Sequence, residues 1–273
     1  MSRLRNVATG IFPQGIPYAR FGNGPRTLLM LAGGPGNDAP RGLSFTMYSK
    51  PAVPVGDEYT VWIVTRRIGQ PPGFTTRAMA GDVARVIAEE FGGRVDAVIG
   101  MSMGGMIAQY LAADHPGCAD RLVLLSTAYR GDPRAAELDR QFAAHLAAGR
   151  HGRAYAAVMG YLYPPGVRRM FLSVLMRAMS PILAEKHHEH FASDVLVEAE
   201  ACRLHDAEAD LGSVRDPVVV IGGDADLCFP KDLQEKTAAL IPGSRLILYP
   251  GRGHANAASH PSYPSDLRGF LVG

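Results

Sequence analysis

Ser102 stands between two glycines in Gly100-Met101-Ser102-Met103-Gly104, where a short apolar run ends and a helical pattern begins. A serine hydroxyl is a weak nucleophile by itself. It needs a base to take its proton, a group to orient that base, and donors for the oxyanion that forms when it attacks a carbonyl. The chain holds a candidate for each part. His254 closes the glycine-rich stretch Tyr249-Pro250-Gly251-Arg252-Gly253-His254, which follows a late apolar run. Two carboxylates, Asp224 and Asp226, lie just beyond the apolar residues 218–221. Donors are offered by the backbone N–H of Met103, at the start of the helical pattern, and by the loop Ala32-Gly33-Gly34-Pro35-Gly36 after an early apolar run.

The elements that must position these residues are legible in the apolar pattern. Residues 95–99 are short, β-branched and apolar, as a buried strand is, and Met103, Met106, Ile107, Tyr110 and Leu111 then follow the spacing of one helix face. Ser102 therefore occupies a strand-to-helix corner so tight that its backbone must be strained. Side chains two positions to either side would strike neighbouring backbone, which is why glycines belong there. Further core strands are predicted over residues 27–31, 59–65, 121–125, 217–221 and 244–249, with a hairpin over residues 9–21. Helices are predicted over 77–91, stopped by Gly92-Gly93, and over 231–241, ended by Pro242-Gly243. Strands alternating with helices make a mostly parallel sheet flanked by helices.

The alternation breaks once. Between Leu125 and Val218 only helix signals occur. Asp132-Pro133 caps a helix that Gly149 ends; residues 167–179 put Met170, Phe171, Val174, Leu175 and Ala178 on one face; and Ser180-Pro181 is expected to start a longer helix toward His205. The expected organisation is a core of residues 1–129 and 211–273, with residues 130–210 inserted as a helical cap, or lid.

Composition narrows the function classes. Of the 273 residues, 47% are hydrophobic and 20% charged, as in an ordinary globular protein, and a net charge of +2 gives no reason to expect nucleic acid or an acidic membrane. The 24 arginines and four lysines are scattered without a basic run. The start MSRLRNVATG lacks an apolar signal segment, and no apolar run approaches spanning length. Cys118, Cys202 and Cys228 are odd in number and lack Cys-x-x-Cys spacing, which points to a reducing compartment, hence the cytoplasm, and away from structural zinc.

Nucleophile, acid and histidine in that chain order, with the Gly-x-Ser-x-Gly corner, resemble the α/β-hydrolase fold superfamily over nearly the whole chain. The resemblance implies Ser102 as nucleophile, His254 as base, and the N–H groups of Gly34 and Met103 as the oxyanion hole. It favours Asp226 over Asp224 as the acid, because Gly223-x-x-Asp226-x-x-x-Pro230 matches the family's pattern. Many relatives carry histidine where this chain has Ala32, a residue that supports the loop without reacting. The wording from Gly100 to Gln109, with Asp114-His115-Pro116 and the run from Leu122 to Ala128, looks like the enol-lactonase and small-ester esterase branch. That implies a serine esterase or lactonase needing no metal or cofactor, acting on a small-molecule ester or lactone, with a homodimer compatible. The same machinery serves carbon–carbon hydrolysis, amide cleavage, acyl transfer and biosynthetic cyclisation or elimination, and a non-catalytic binding protein of this fold is a further alternative.

Three features are weaker. Met159, Tyr161, Tyr163 and Met170 of the cap are candidates to line an apolar substrate pocket. His187-His188-Glu189-His190 lacks metal-site spacing and is expected to be a solvated helix face. Cys228, two residues beyond Asp226, is expected to be a small buried apolar side chain near the site.

Overall fold

The structure, a computed structural model, describes residues 7–183 and 187–273, without the side chains of residues 161 and 181–183. Its eight strands are β1 (Ala8–Ile11), β2 (Pro17–Gly22), β3 (Arg26–Leu31), β4 (Tyr59–Val64), β5 (Ala97–Met101), β6 (Leu122–Leu125), β7 (Val218–Gly223) and β8 (Arg245–Tyr249). They form one sheet in the order β1-β2-β4-β3-β5-β6-β7-β8. β1 and β2, and β2 and β4, pair antiparallel; every other neighbouring pair is parallel.

In the central strands β3, β5, β6 and β7 the apolar runs are continuous because both faces are buried. Leu29, Leu31, Val98, Leu124 and Val220 face one core, packed under helices α2 (Thr76–Glu90) and α3 (Met103–Asp114). The alternate residues Leu28, Met30, Ile99, Val123 and Val219 face a second core closed by Tyr263, Leu267 and Leu271 of the last helix, Tyr263–Leu271. Each such fully buried side chain is worth roughly 1.5–3 kcal/mol relative to exposure. The predicted strands lie within two residues of those observed. The largest offset is at β5, where Val95 makes only an isolated bridge to Ala119.

From β3 the chain passes outward to β4 and returns on the opposite side of β3 as β5. The loops after β3 and β5 therefore diverge from adjacent strand ends, leaving a crevice of the kind where open α/β sheets bind ligands. Between β6 and β7 the chain inserts α4 (Pro133–Ala147), α5 (His151–Leu162), α6 (Val167–Leu183) and α7 (Phe191–Leu204). Phe142, Ala143 and Leu146 of α4, Ala154 of α5 and Phe191, Val195 and Ala199 of α7 share a small core of their own. The remaining helices are α1 (Gly42–Ser49), after β3, and α8 (Lys231–Leu240), between β7 and β8.

The insertion departs from expectation beyond residue 180. No single helix runs from residue 180 to 205: α6 continues through Pro181, within its last turn, and α7 starts separately at Phe191. His190 is the N-cap of α7. His187 and His188 precede that helix without lying on any helix face, and their rings meet Asp38 and Asn37 of the core. The expectation of a solvated helix face is corrected accordingly: docking against the loop after β3 takes these two rings largely out of solvent. No helix among the described residues is long and apolar enough to cross a membrane.

Candidate active site

The corner after β5 is as tight as its glycines require. Ser102 has φ 53° and ψ −119°, a conformation non-glycine residues seldom adopt. A Cβ on Gly100 would lie 2.6 Å from the Gly104 carbonyl oxygen, and one on Gly104 only 2.1 Å from that of Leu31. Ser102 N–H still donates to Leu125 O at 3.0 Å, so the strained residue is stitched to the neighbouring strand. Its own carbonyl accepts from Gly105 and Met106, which begins α3 at once.

His254 joins this corner from the loop after β8. Its Nε2 lies 3.0 Å from Ser102 Oγ and its Nδ1 3.0 Å from Asp226 Oδ2. Asp226 is buried, and its other oxygen accepts the N–H groups of Cys228 and Phe229 at 2.8 and 3.0 Å. Two backbone donors thus hold one carboxylate oxygen and leave the second for the imidazole. Asp224 does something else: exposed, it accepts the Gly251 N–H at 2.6 Å and so braces the loop that carries His254.

Burial opposes a charge on His254, but the sulfur of Cys228 and the carboxylate of Asp226 beside it outweigh this and hold its pKa well above the ordinary histidine value. Burial also pushes the Cys228 thiol up, against the opposing pull of His254 beside it. Ligand atoms of Asp226, Cys228 and His254 lie within 4.8 Å of one another, a donor set that could hold a metal ion. Its imidazole and carboxylate are already engaged with each other.

The loop after β3 lies against the serine. A Cβ on Gly33 would be 3.4 Å from Ser102 Cβ, and one on Gly34 3.1 Å from Met103 Sδ. Met103 is the first residue of α3, where an N–H has no acceptor within the helix. The structure therefore brings Ser102, Asp226, His254, Gly34 and Met103 together. The cap candidates separate. Met159 is buried in α5; Tyr163, at the end of α5, is half-buried under the Arg168 guanidinium; Met170 on α6 is 63% exposed; and the Tyr161 side chain lies outside the described residues. Missed altogether was a polar group behind the loop, Arg66 with Asp194 and Glu198. In a chain with 24 arginines, Arg66 carries no local signal.

Fold and site together define the class. The chain belongs to the α/β-hydrolase fold family, whose model matches residues 48–261. Among curated proteins it is 28% identical over 213 residues to a putative carbamate hydrolase, RutD, of Agrobacterium fabrum, covering 71% of this chain and 74% of that protein. Among solved structures, a hydrolase from Pseudomonas aeruginosa superposes with a TM-score of 0.75 at 25% identity, over 98% of this chain and 99% of that one. The enol-lactonase of Burkholderia xenovorans superposes with a TM-score of 0.69 at 20% identity, over 100% of this chain and 99% of its own, a likeness of fold.

Proposed function

We propose that this protein is a serine hydrolase that cleaves small carboxylic esters or lactones through an acyl-enzyme. The observation that carries the reading is the unbroken chain Ser102 Oγ–His254–Asp226, with both links at 3.0 Å, at a strained corner. Ser102 attacks the carbonyl carbon as His254 Nε2 takes its proton. Asp226 accepts from Nδ1–H, which leaves Nε2 the unprotonated nitrogen beside Ser102, and stabilises the imidazolium. The carbonyl oxygen, now an oxyanion, is received by the N–H groups of Gly34 and Met103. His254 then returns the proton to the leaving alcohol, and a water activated by the same nitrogen releases the acid.

Residues 130–210 act as the cap in this reading, narrowing access to the corner and excluding bulk water. Met159 and Tyr163 are the cap residues proposed to contact substrate. Three free cysteines support a reducing compartment such as the cytoplasm.

Intact mass after incubation with a fluorophosphonate tests the nucleophile. One adduct is expected on the wild type and none on Ser102→Ala. A panel of esters, lactones and carbamates then identifies the acyl group. Ester hydrolysis retained by Ser102→Ala would refute the mechanism.

A further inference from the structure

Resting on that reading, we infer that Glu198, on cap helix α7, is a positioning residue for the oxyanion loop and acts through Arg66. Arg66 follows β4, and its guanidinium lies behind the loop, with Nη2 2.6 Å from where a Gly34 Cβ would sit. Its N–H groups are all engaged. Nε and Nη2 donate to Glu198 at 3.0 and 2.9 Å; Nη1 donates to Ala32 O and Gly33 O at 2.9 and 3.0 Å; and Nη2 also donates to Gly36 O. The Tyr48 hydroxyl adds a second bond to Gly33 O at 3.2 Å. Arg66 thus has no donor left for a substrate. What it does is hold the loop by its carbonyls.

That grip sets the direction of the N–H the chemistry needs. Gly33 C=O and Gly34 N–H belong to one planar peptide unit, in which they point opposite ways. Anchoring the Gly33 oxygen on Arg66 and Tyr48 turns the Gly34 N–H toward the other side of the loop. Bonds to that oxygen also polarise the unit and strengthen its donor.

Glu198 makes the arrangement tolerable. Arg66 and Glu198 side chains are 2% and 0% exposed, and a buried guanidinium without its anion would be costly. The carboxylate also accepts the Gly36 N–H at 2.6 Å and Gln70 Nε2 at 2.7 Å, so it touches the loop directly. One turn earlier on the same helix, buried Asp194 accepts from Asn37 Nδ2, Gly69 N–H and Gln70 N–H at 2.7–2.9 Å. Helix α7 is therefore tied into the core loops by two carboxylates on one face. Although the chain enters it from the cap, α7 forms part of the wall that builds the oxyanion hole.

Glu198→Gln keeps the side-chain volume and removes the anion. On the best ester, kcat should fall about 10- to 100-fold with KM within about threefold, below the loss from deleting an oxyanion donor outright. Amide hydrogen exchange over residues 32–37 should quicken. Arg66→Met/Glu198→Leu removes both charges, so it should recover melting temperature and leave kcat low, because the loop carbonyls stay ungripped. The inference is overturned if Glu198→Gln leaves kcat and loop exchange at wild-type values. It is equally overturned if KM alone rises, or if the double variant regains kcat along with stability. Should the wild type itself neither label nor turn over, the hydrolase reading fails, while the exchange comparison still decides the brace.

Discussion

Gly104→Ala tests whether the corner works for the steric reason given. Gly104 is the second residue of α3 and its backbone is helical, so alanine meets no conformational penalty and by propensity would favour the helix by about 1 kcal/mol. The obstacle is space. The new Cβ would sit 2.1 Å from Leu31 O, 2.6 Å from Leu31 C and 2.9 Å from Ala32 O. Relief to an ordinary contact near 3.4 Å requires a separation of about 1.3 Å at the closest atom, and none of these atoms is a flexible side chain. Leu31 is held in register with Val64 on one side and Gly100 on the other, so the end of β3 cannot move without loosening the ladder. The movement must fall on the corner carrying Ser102, on the loop carrying Gly34, or on both. Misplacement of about 1 Å between the nucleophile and the proposed oxyanion donors costs on the order of 100-fold, or about 2.7 kcal/mol of barrier. The assays are kcat/KM on the best ester and the second-order rate of fluorophosphonate labelling, each normalised to folded protein, with thermal melting alongside. We expect both rates to fall about 100-fold and stability by about 1–3 kcal/mol. Rates within threefold of wild type in a folded variant would refute the argument that Gly104 is required by the closeness of β3.

Three further outcomes follow from single residues. Asp226→Asn should lower kcat by about 10⁴. His254 acts as a base only when neutral, and its pKa is raised, so wild-type activity should climb with pH through a midpoint above that of an ordinary histidine; without the carboxylate the midpoint should move down. A pH–rate profile of both proteins checks the sign. His205 is buried with its pKa lowered to about 3 by desolvation, its Nδ1 on Thr76 Oγ1 at 2.9 Å. Because the unfolded chain takes up that proton near pH 6.5 and the folded protein does not, its contribution to stability is full above 6.5. It is lost on acidification toward 3 by up to about 1.4 kcal/mol per pH unit. Urea unfolding of wild type and His205→Phe between pH 7 and 4.5 should show a steeper acid loss in the wild type. Gly81→Ala, inside α2 with nothing within 4 Å of the new Cβ, should raise stability by about 0.5–1 kcal/mol in thermal melting.

The sequence by itself determined the sheet, the corner and its partners, because each rests on a local rule. Strands buried on both faces must be continuously apolar, a corner without room must carry glycines, and the nucleophile, acid and histidine must follow strands. Asp226 was preferred to Asp224 only because its spacing matches the family's pattern, with no physical reason legible in the residues themselves. The tertiary structure separates them by contact: Asp226 meets the imidazole, while Asp224 holds Gly251. The cap was legible as helices but not in its breaks or exposures. Pro181 reads locally as a helix start, yet it falls within the last turn of α6, and Met170 belongs to an apolar row that the fold leaves exposed. Least legible was the group behind the loop after β3. Arg66 and Glu198 are 132 residues apart and meet only because α7 packs down onto the loops after β3 and β4. Pattern in a sequence reports what a residue's own element demands of it. Which buried charges find each other is decided by packing between elements, and only the folded chain contains that information.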